Sequence, residues 1–354
     1  MNTVVAIIVS IVVGFALSAL LGIVLVPWLH KLKFGQTILD IGPNWHKAKQ
    51  GTPTMGGFMF IISIIFTFIV VVIVDKIMGG DIVGGGSPIA GEIKVKLYAG
   101  LALAFGFGLI GFADDYIKVA KKQNEGLTVI QKTLCQLFLS AGYIITICLT
   151  SDSLYMYIPF VGNVEYGNPI IFALFTVIVI YATVNAVNFT DGIDGLCASV
   201  TITTAIAFAV ISALLHFMGA SILACTLAGA LAGYLIWNWH PAKCFMGDTG
   251  SMFLGGIVVG LSFAINCPLI LLLVGFVYVM EGLSDVIQIG YFKITKKIAR
   301  RTDPNATGKR LFKMAPIHHH FEKCGWSEVK IVLIFSFVNL ITGIVACILV
   351  HFGQ

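Results

Sequence analysis

An all-α polytopic membrane bundle of about ten transmembrane helices is the fold this sequence predicts, and three observations predict it. Hydrophobic residues make up 58% of the 354 residues and charged residues only 11%, against about 25% charged in soluble domains. Mean hydropathy is +0.96. The apolar residues fall into runs suited to a hydrocarbon core about 30 Å thick, which takes roughly 20 residues of helix. The basic residues between those runs collect on one side.

The expected spans lie at 3–29, 58–75, 97–113, 133–149, 169–187, 199–216, 221–237, 252–264, 268–289 and 329–352, within a single integral membrane domain over 1–354. The first begins "MNTVV", with no basic leader and no small-residue cleavage site, so a retained helix is expected. His30, Lys31 and Lys33 at its far end place the N-terminus outside by the positive-inside rule. Ten crossings then place the C-terminus outside as well. "GGDIVGGGSPIAGE", after the second span, is a flexible Gly-rich linker. "YMYIPFVGNVEYGN", Tyr155 to Asn168, alternates and turns like a small extracytoplasmic β-hairpin. The eighth span is short and Gly-rich, which suggests a tilted or broken helix, and only "NCP" separates it from the ninth. This orientation puts 18 of the 22 Lys and Arg on the inside, so helix count and orientation support each other.

The net charge of +5 reflects those inside loops and implies no nucleic-acid partner; lipid headgroups and phosphate compounds are the anions expected. The eight cysteines are dispersed, without the paired spacing of zinc or redox sites, and read as packing residues.

Polar clusters face the predicted cytosol. "GFADDYIKV" sets Asp114 and Asp115 at the end of the third span, where paired carboxylates suit a general base, a shared cation or a solvated helix end. "NAVNFTDGIDGL" spaces Asn185, Asn188, Asp191 and Asp194 three apart, and side chains so spaced on a helix are neighbours. Such a set could hold a sugar, a base or hydrated Mg2+, whose ligands are oxygens, or merely cap the helix. "CFMGDTGS" holds Asp248 between glycines, with Phe245 placed to stack on a base or anchor at the interface. "APIHHHFE" offers His318, His319 and His320 for phosphate binding or proton transfer. "KQGTPTMGG" supplies Lys49 and Thr52 for phosphate contact. Glu281 and Asp285, inside the ninth span, need water or partners at that depth, and their role stays open.

In five ordered stretches, "GQTILDIGPNWHKAKQGTPTMGG", "GFADDYIKV", "NAVNFTDGIDGL", "FMGDTGS" and "MAPIHHHFEKCGW", the sequence resembles the bacterial phospho-N-acetylmuramoyl-pentapeptide transferases, within the polyprenyl-phosphate N-acetylhexosamine-1-phosphate transferases. The match runs almost end to end. The resemblance implies a multi-pass plasma-membrane enzyme with a cytoplasmic active site. It would transfer phospho-N-acetylmuramoyl-pentapeptide from its UDP carrier to undecaprenyl phosphate, with Mg2+ as cofactor, and act as a homodimer. It also implies Asp114 as base, Asp115 as its partner and a second metal ligand, Asp248 as the principal Mg2+ ligand, and His318 in the catalytic loop. By the same resemblance Asn188, Asp191, Asp194 and Phe245 suit the uridine end, while Lys49, Lys118, Lys132, His319 and His320 suit phosphate or sugar contacts. Direct attack and a covalent Asp intermediate both fit.

The chain departs from the family pattern in "KITKKIARRTDPNATGKR", a longer and more basic segment than expected before the His loop. The nearest alternative is a sister transferase using a UDP-N-acetylhexosamine, against which "GTPTMGG" and "PIHHHFE" argue. An ion transporter would place its acids near mid-membrane, often between internal repeats, and here they gather at one surface. A catalytically dead scaffold would be expected to lose acids from the motifs, and none is lost.

Overall fold

The structure, a computed structural model, describes residues 1–32 and 51–354 except 86, 88, 122, 124, 152 and 304. Lys49 and the "GQTILDIGPNWHKAKQ" motif lie outside the described residues. In chain order the elements are α1 (Thr3–Lys31), α2 (Gly57–Ile77), α3 (Ala90–Ala120), α4 (Val129–Thr150), β1 (Tyr155–Ile158), β2 (Gly162–Glu165), α5 (Pro169–Thr190), α6 (Leu196–Leu214) and α7 (Met218–Asn238). Then come α8 (Gly247–Ala264), a 3-10 turn (Pro268–Ile270), α9 (Leu271–Val274), α10 (Phe276–Ala299), α11 (Ile317–Glu322) and α12 (Glu328–Phe352). Among the described residues nine helices are long and apolar enough to cross a membrane, and the 268–299 stretch, bent by 87°, makes up to a tenth. The chain is a multi-pass membrane protein.

Helix ends are set by local chemistry. Thr128 and Gln131 form a reciprocal capping box at the start of α4, and Asn168 caps α5 ahead of a first-turn proline, both of which satisfy otherwise orphaned N–H groups. β1 and β2 pair antiparallel, with Tyr155 opposite Glu165 and Ile158 opposite Gly162, as the alternating sequence predicts. This hairpin lies over helix ends: the Tyr157 N–H donates to the Asn266 carbonyl at 2.7 Å, and the Tyr157 hydroxyl donates to the Gly353 carbonyl at 2.7 Å. The far ends of α8 and α12 therefore share the hairpin's face. Met1 lies against Asp75, near the end of α2. For α8 to end on that face and α12 to return to it, the bent 268–299 stretch must serve as one crossing, which gives ten in all.

Lipid gives helices no hydrophobic reason to associate, so close packing rests on small residues and interhelical hydrogen bonds. On α1 the buried positions Ala6, Ser10, Gly14, Ser18 and Gly22 recur every four residues and pack against α7, where a Cβ at Gly229 would sit 2.3 Å from the Ile11 carbonyl oxygen. Helix α8 is almost wholly buried, with α3 and α5 among its packing partners. At 18 residues it is the shortest of the nine membrane-length helices among the described residues, but it is continuous and not broken, and it begins at "GDTGS" itself.

The break comes later. Between α9 and α10, at Gly275, the Val274 carbonyl and the Val277 N–H are satisfied by side chains from other helices. The Asn339 amide donates to Val274 O at 3.0 Å and accepts from Val277 N at 3.2 Å, and the Thr204 hydroxyl donates to Val274 O at 2.8 Å. Backbone groups freed inside a membrane need such partners. The ninth span expected at 268–289 thus consists of a short descent and a long helix, α10, that runs out to Ala299.

Candidate active site

Helix α3 extends past its apolar run to Ala120, so Asp114 and Asp115 sit within its last two turns and are 3% exposed each. Gly111, one turn earlier, lets α8 approach: a Cβ there would lie 2.0 Å from the Asp248 carbonyl oxygen. The first turn of α8 is then fastened to Asp115, which accepts from the Thr249 N–H at 2.9 Å, the Thr249 hydroxyl at 2.8 Å and the Asp248 N–H at 3.2 Å. A carboxylate at a helix N-terminus is favoured by the free N–H groups and the helix dipole.

Asp248 is thereby brought to the other two acids. Carboxylate oxygens from Asp114, Asp115 and Asp248 all lie within 4.8 Å of one another. Two ammonium groups answer this charge. Lys118 Nζ lies 2.6 Å from Asp114 Oδ2 and 3.2 Å from Asp248 Oδ2, and Lys132 Nζ lies 2.8 Å from Asp248 Oδ2. Asn188, at the end of α5, donates from Nδ2 to Asp248 Oδ1 at 3.0 Å and to Ser251 Oγ at 2.7 Å. Leu127 N–H donates to Asp114 Oδ1 at 2.8 Å. Three convergent hard oxygen donors suit Mg2+, and the two lysines mark how much positive charge the acids require.

The four residues spaced three apart part company because α5 ends at Thr190. Asn185 is still helical and bonds Gln136 of α4, Nδ2 to Oε1 at 3.0 Å. Asp191 is the C-cap and is partly buried. Its carboxyl is raised well above the usual carboxylate range by loss of water contact first, then by the charges of Asp248, Asp115 and Asp194. Asp194 turns the other way. It is 3% exposed, and its Oδ2 meets His240 Nδ1 at 3.0 Å and accepts the Ala242 N–H at 3.0 Å. Glu328 of α12 joins the same group, 3.6 Å from His240 Nδ1.

A raised carboxyl costs stability only where pH exceeds its unfolded value, and costs nothing once it is protonated in both states. Asp191→Asn is therefore expected to raise the thermal midpoint in metal-free detergent buffer at pH 8, by an amount that disappears as pH falls towards 4. Midpoints independent of pH would contradict this.

The His loop folds as a short helix, α11. His318 and Glu281 are both fully buried and meet Nδ1 to Oε2 at 2.9 Å. An ionised carboxylate only accepts, so Nδ1 carries the hydrogen and Nε2 is left toward Gly192, where a Cβ would sit 2.2 Å from it. Among the described residues Nε2 has no hydrogen-bond partner, and it borders the residue that follows Asp191. Glu281, whose role the sequence leaves open, thus orients the first of the loop's three imidazoles. Replacing it by Gln keeps the shape but removes the negative charge, and because an amide can accept from Nδ1–H or donate to a bare Nδ1 it no longer fixes the tautomer; turnover is expected to fall roughly a hundredfold with little change in thermal midpoint, and equal turnover would remove this role. His319 Nδ1 pairs with Glu322, and His320 Nδ1 accepts the Lys313 N–H at 3.1 Å, both within the loop.

The "GTPTMGG" segment reaches this face through backbone pairing. Phe245 N–H donates to the Pro53 carbonyl and Gly56 N–H to the Phe245 carbonyl, each at 2.8 Å. Thr52 and Phe245 are both partly exposed beside this turn. The sequence reading did not foresee that Lys118 and Lys132 bind the acids directly, or that Thr249 anchors Asp115.

The glycosyl transferase family 4 model matches residues 97–266, which contain the three acids. The chain is 40% identical over 341 residues to the phospho-N-acetylmuramoyl-pentapeptide-transferase of Clostridium perfringens strain 13, covering 96% of this chain and 97% of that protein. It is 42% identical over 342 residues to the transferase of the same name from Clostridium acetobutylicum, covering 96% and 98%. Against that of Staphylococcus carnosus it is 40% identical over 341 residues, covering 94% and 96%. With that identity spread over nearly the whole length of each protein, the chain belongs to the phospho-N-acetylmuramoyl-pentapeptide transferase family.

Proposed function

We propose that the acid cluster at the ends of α3, α5 and α8 transfers phospho-N-acetylmuramoyl-pentapeptide from its UDP carrier to undecaprenyl phosphate. The products are UMP and lipid I, the first membrane-bound intermediate of peptidoglycan synthesis. The observation that carries this is the convergence of Asp114, Asp115 and Asp248 with Lys118 and Lys132 at the membrane boundary. There a soluble diphosphate and a lipid phosphate can both reach one set of charges.

A phosphate oxygen of the lipid attacks the sugar-bearing phosphorus, one phosphoanhydride bond forms as another breaks, and UMP leaves. A phosphate monoester is already ionised near neutral pH, so placement and charge stabilisation matter more than base strength. Asp248 and Asp115, with Asp114 beside them, would hold Mg2+, which supplies neutralisation of the diphosphate when bound. Lys118 and Lys132 keep the acids gathered and present ammonium groups to phosphate oxygens. Asn188 fixes the Asp248 carboxylate, while Asp114 stands ready to take a proton from the lipid phosphate. His318 offers Nε2 beside Asp191. Thr52, Asp191, Phe245, His319 and His320 belong to the substrate surface in this reading, with Asn185 and Asp194 setting the walls that frame it. Lys49 would contact a substrate phosphate, and the family resemblance implies association as a homodimer.

The test is UMP release by purified protein in detergent with undecaprenyl phosphate and Mg2+. UDP-N-acetylmuramoyl-pentapeptide is expected to yield UMP and UDP-N-acetylglucosamine is not. Chelation is expected to stop the reaction and Mg2+ to restore it. UMP from the N-acetylglucosamine donor alone would favour the sister transferase.

A further inference from the structure

The long, basic segment that departs from the family pattern has a definite place in the fold. After the break at Gly275, α10 runs to Ala299 and bends 87° from the segment before it. From Gln288 onward its contacts are with the chain returning toward α11. Gln288 Oε1 accepts the Leu311 and Phe312 N–H groups, each at 3.0 Å, and Thr295 Oγ1 accepts the Lys309 N–H at 2.9 Å. These contacts occupy one side of the helix.

A second side is an apolar stripe. Met280, Leu283, Ile287, Tyr291, Ile294 and Ile298 follow at steps of three and four, which keeps them on one face, and each is an exposed large hydrophobic residue. The remaining side is apolar up to Val286 and Ile289, which are exposed as well, and basic beyond them: Lys293, Lys297 and Arg300 project there, Arg301 follows at the helix end, and all four are exposed. Among the described residues none of these four forms an ion pair with a carboxylate within 4.0 Å. The site acids already have Lys118 and Lys132, so the basic residues of α10 are a separate surplus.

At the cytoplasmic end of a crossing helix, apolar side chains reach the acyl boundary while neighbouring Lys and Arg extend among the headgroups. Cations clustered at that level attract anionic lipids rather than zwitterionic ones. We propose that the outer half of α10 is an interfacial arm on the cytoplasmic leaflet, which binds anionic phospholipid headgroups through Lys293, Lys297, Arg300 and Arg301. Charge complementarity selects the occupant, and the apolar stripe beside the cations selects a lipid over a soluble anion.

The test uses the full chain in mild detergent, offered equal amounts of phosphatidylglycerol and phosphatidylcholine, with the lipids retained per protein counted by mass spectrometry. The wild-type protein is expected to retain phosphatidylglycerol over phosphatidylcholine by roughly fivefold or more, falling as salt is raised. The combined variant Lys293→Gln, Lys297→Gln, Arg300→Gln and Arg301→Gln is expected to retain the two about equally, with unchanged thermal midpoint. Lys293→Arg with Lys297→Arg, which conserves charge, is expected to keep the preference. Equal retention by the wild type, an undiminished preference in the Gln variant, or loss of preference in the Arg variant would each overturn the proposal.

Discussion

Asp248→Asn is expected to abolish UMP release, to roughly a thousandth of the wild-type rate or below, and to leave the protein folded. The two statements have separate grounds. Asp248 Oδ2 receives both Lys118 and Lys132 and Oδ1 receives Asn188, so the amide removes the charge on which those three side chains converge. Replacing one carboxylate oxygen by an N–H donor also sets like partners against each other. The first turn of α8, in contrast, is tied to Asp115 through the backbone N–H groups of residues 248 and 249 and the Thr249 hydroxyl, none of which the substitution touches. Thermal midpoint and UMP release measured on the same preparation separate the two effects. A variant that keeps a tenth of wild-type activity would remove Asp248 from the reaction.

Gly111→Ala is expected to be nearly as damaging by a steric route. Its Cβ would lie 2.0 Å from the carbonyl oxygen of Asp248 and 2.6 Å from the Thr249 nitrogen. Both are backbone atoms, so no rotamer change relieves the clash, and α3 and α8 must separate. Overpacking of this kind costs about 1–3 kcal/mol or more, and a shift of about 1 Å in reacting groups costs roughly a hundredfold in rate. Both a lowered thermal midpoint and a loss of UMP release of about that size are expected. Gly142→Ala, in α4, where a Cβ would meet nothing within 4 Å, is the matched control and should change neither. A Gly111→Ala protein with wild-type midpoint and rate would mean that the helices have slack here.

The site was legible in the sequence where a charged residue interrupted an apolar run. Asp114, Asp115 and Asp248 announce themselves that way, since carboxylates at a lipid boundary demand partners, and the structure does bring them together. Glu281 carried the same mark, and its partner, His318, lies in a motif the sequence already singled out; what could not be read was the pairing across 37 positions. Spacing misled in one place. Asp191 and Asp194 are three apart, but the helix ends between Asn188 and Asp191, so the second acid turns to His240.

The fold was legible to the same extent. Ten crossings, the hairpin and the one-sided loops follow from hydropathy and charge. The small-residue repeat of α1 was there to be read, with its spacing of four. The break at Gly275 was not, because the local sequence "LLLVGFVYV" is apolar throughout, and the side chains that accommodate the break, Thr204 and Asn339, belong to α6 and α12.

That dependence on α12 bears on how the protein is made. Thr204 of α6 is in place early enough to hold the Val274 carbonyl, but the Val277 N–H enters the bilayer before the helix that satisfies it has been synthesised, since Asn339 follows Val277 by 62 positions. Until α12 inserts, nothing from that helix holds α10 in its final direction, and α11, which supplies His318, ends only six positions before α12 begins. Glu281 and His318 therefore meet at the close of biogenesis, and the catalytic face is completed only when the last membrane helix is in place.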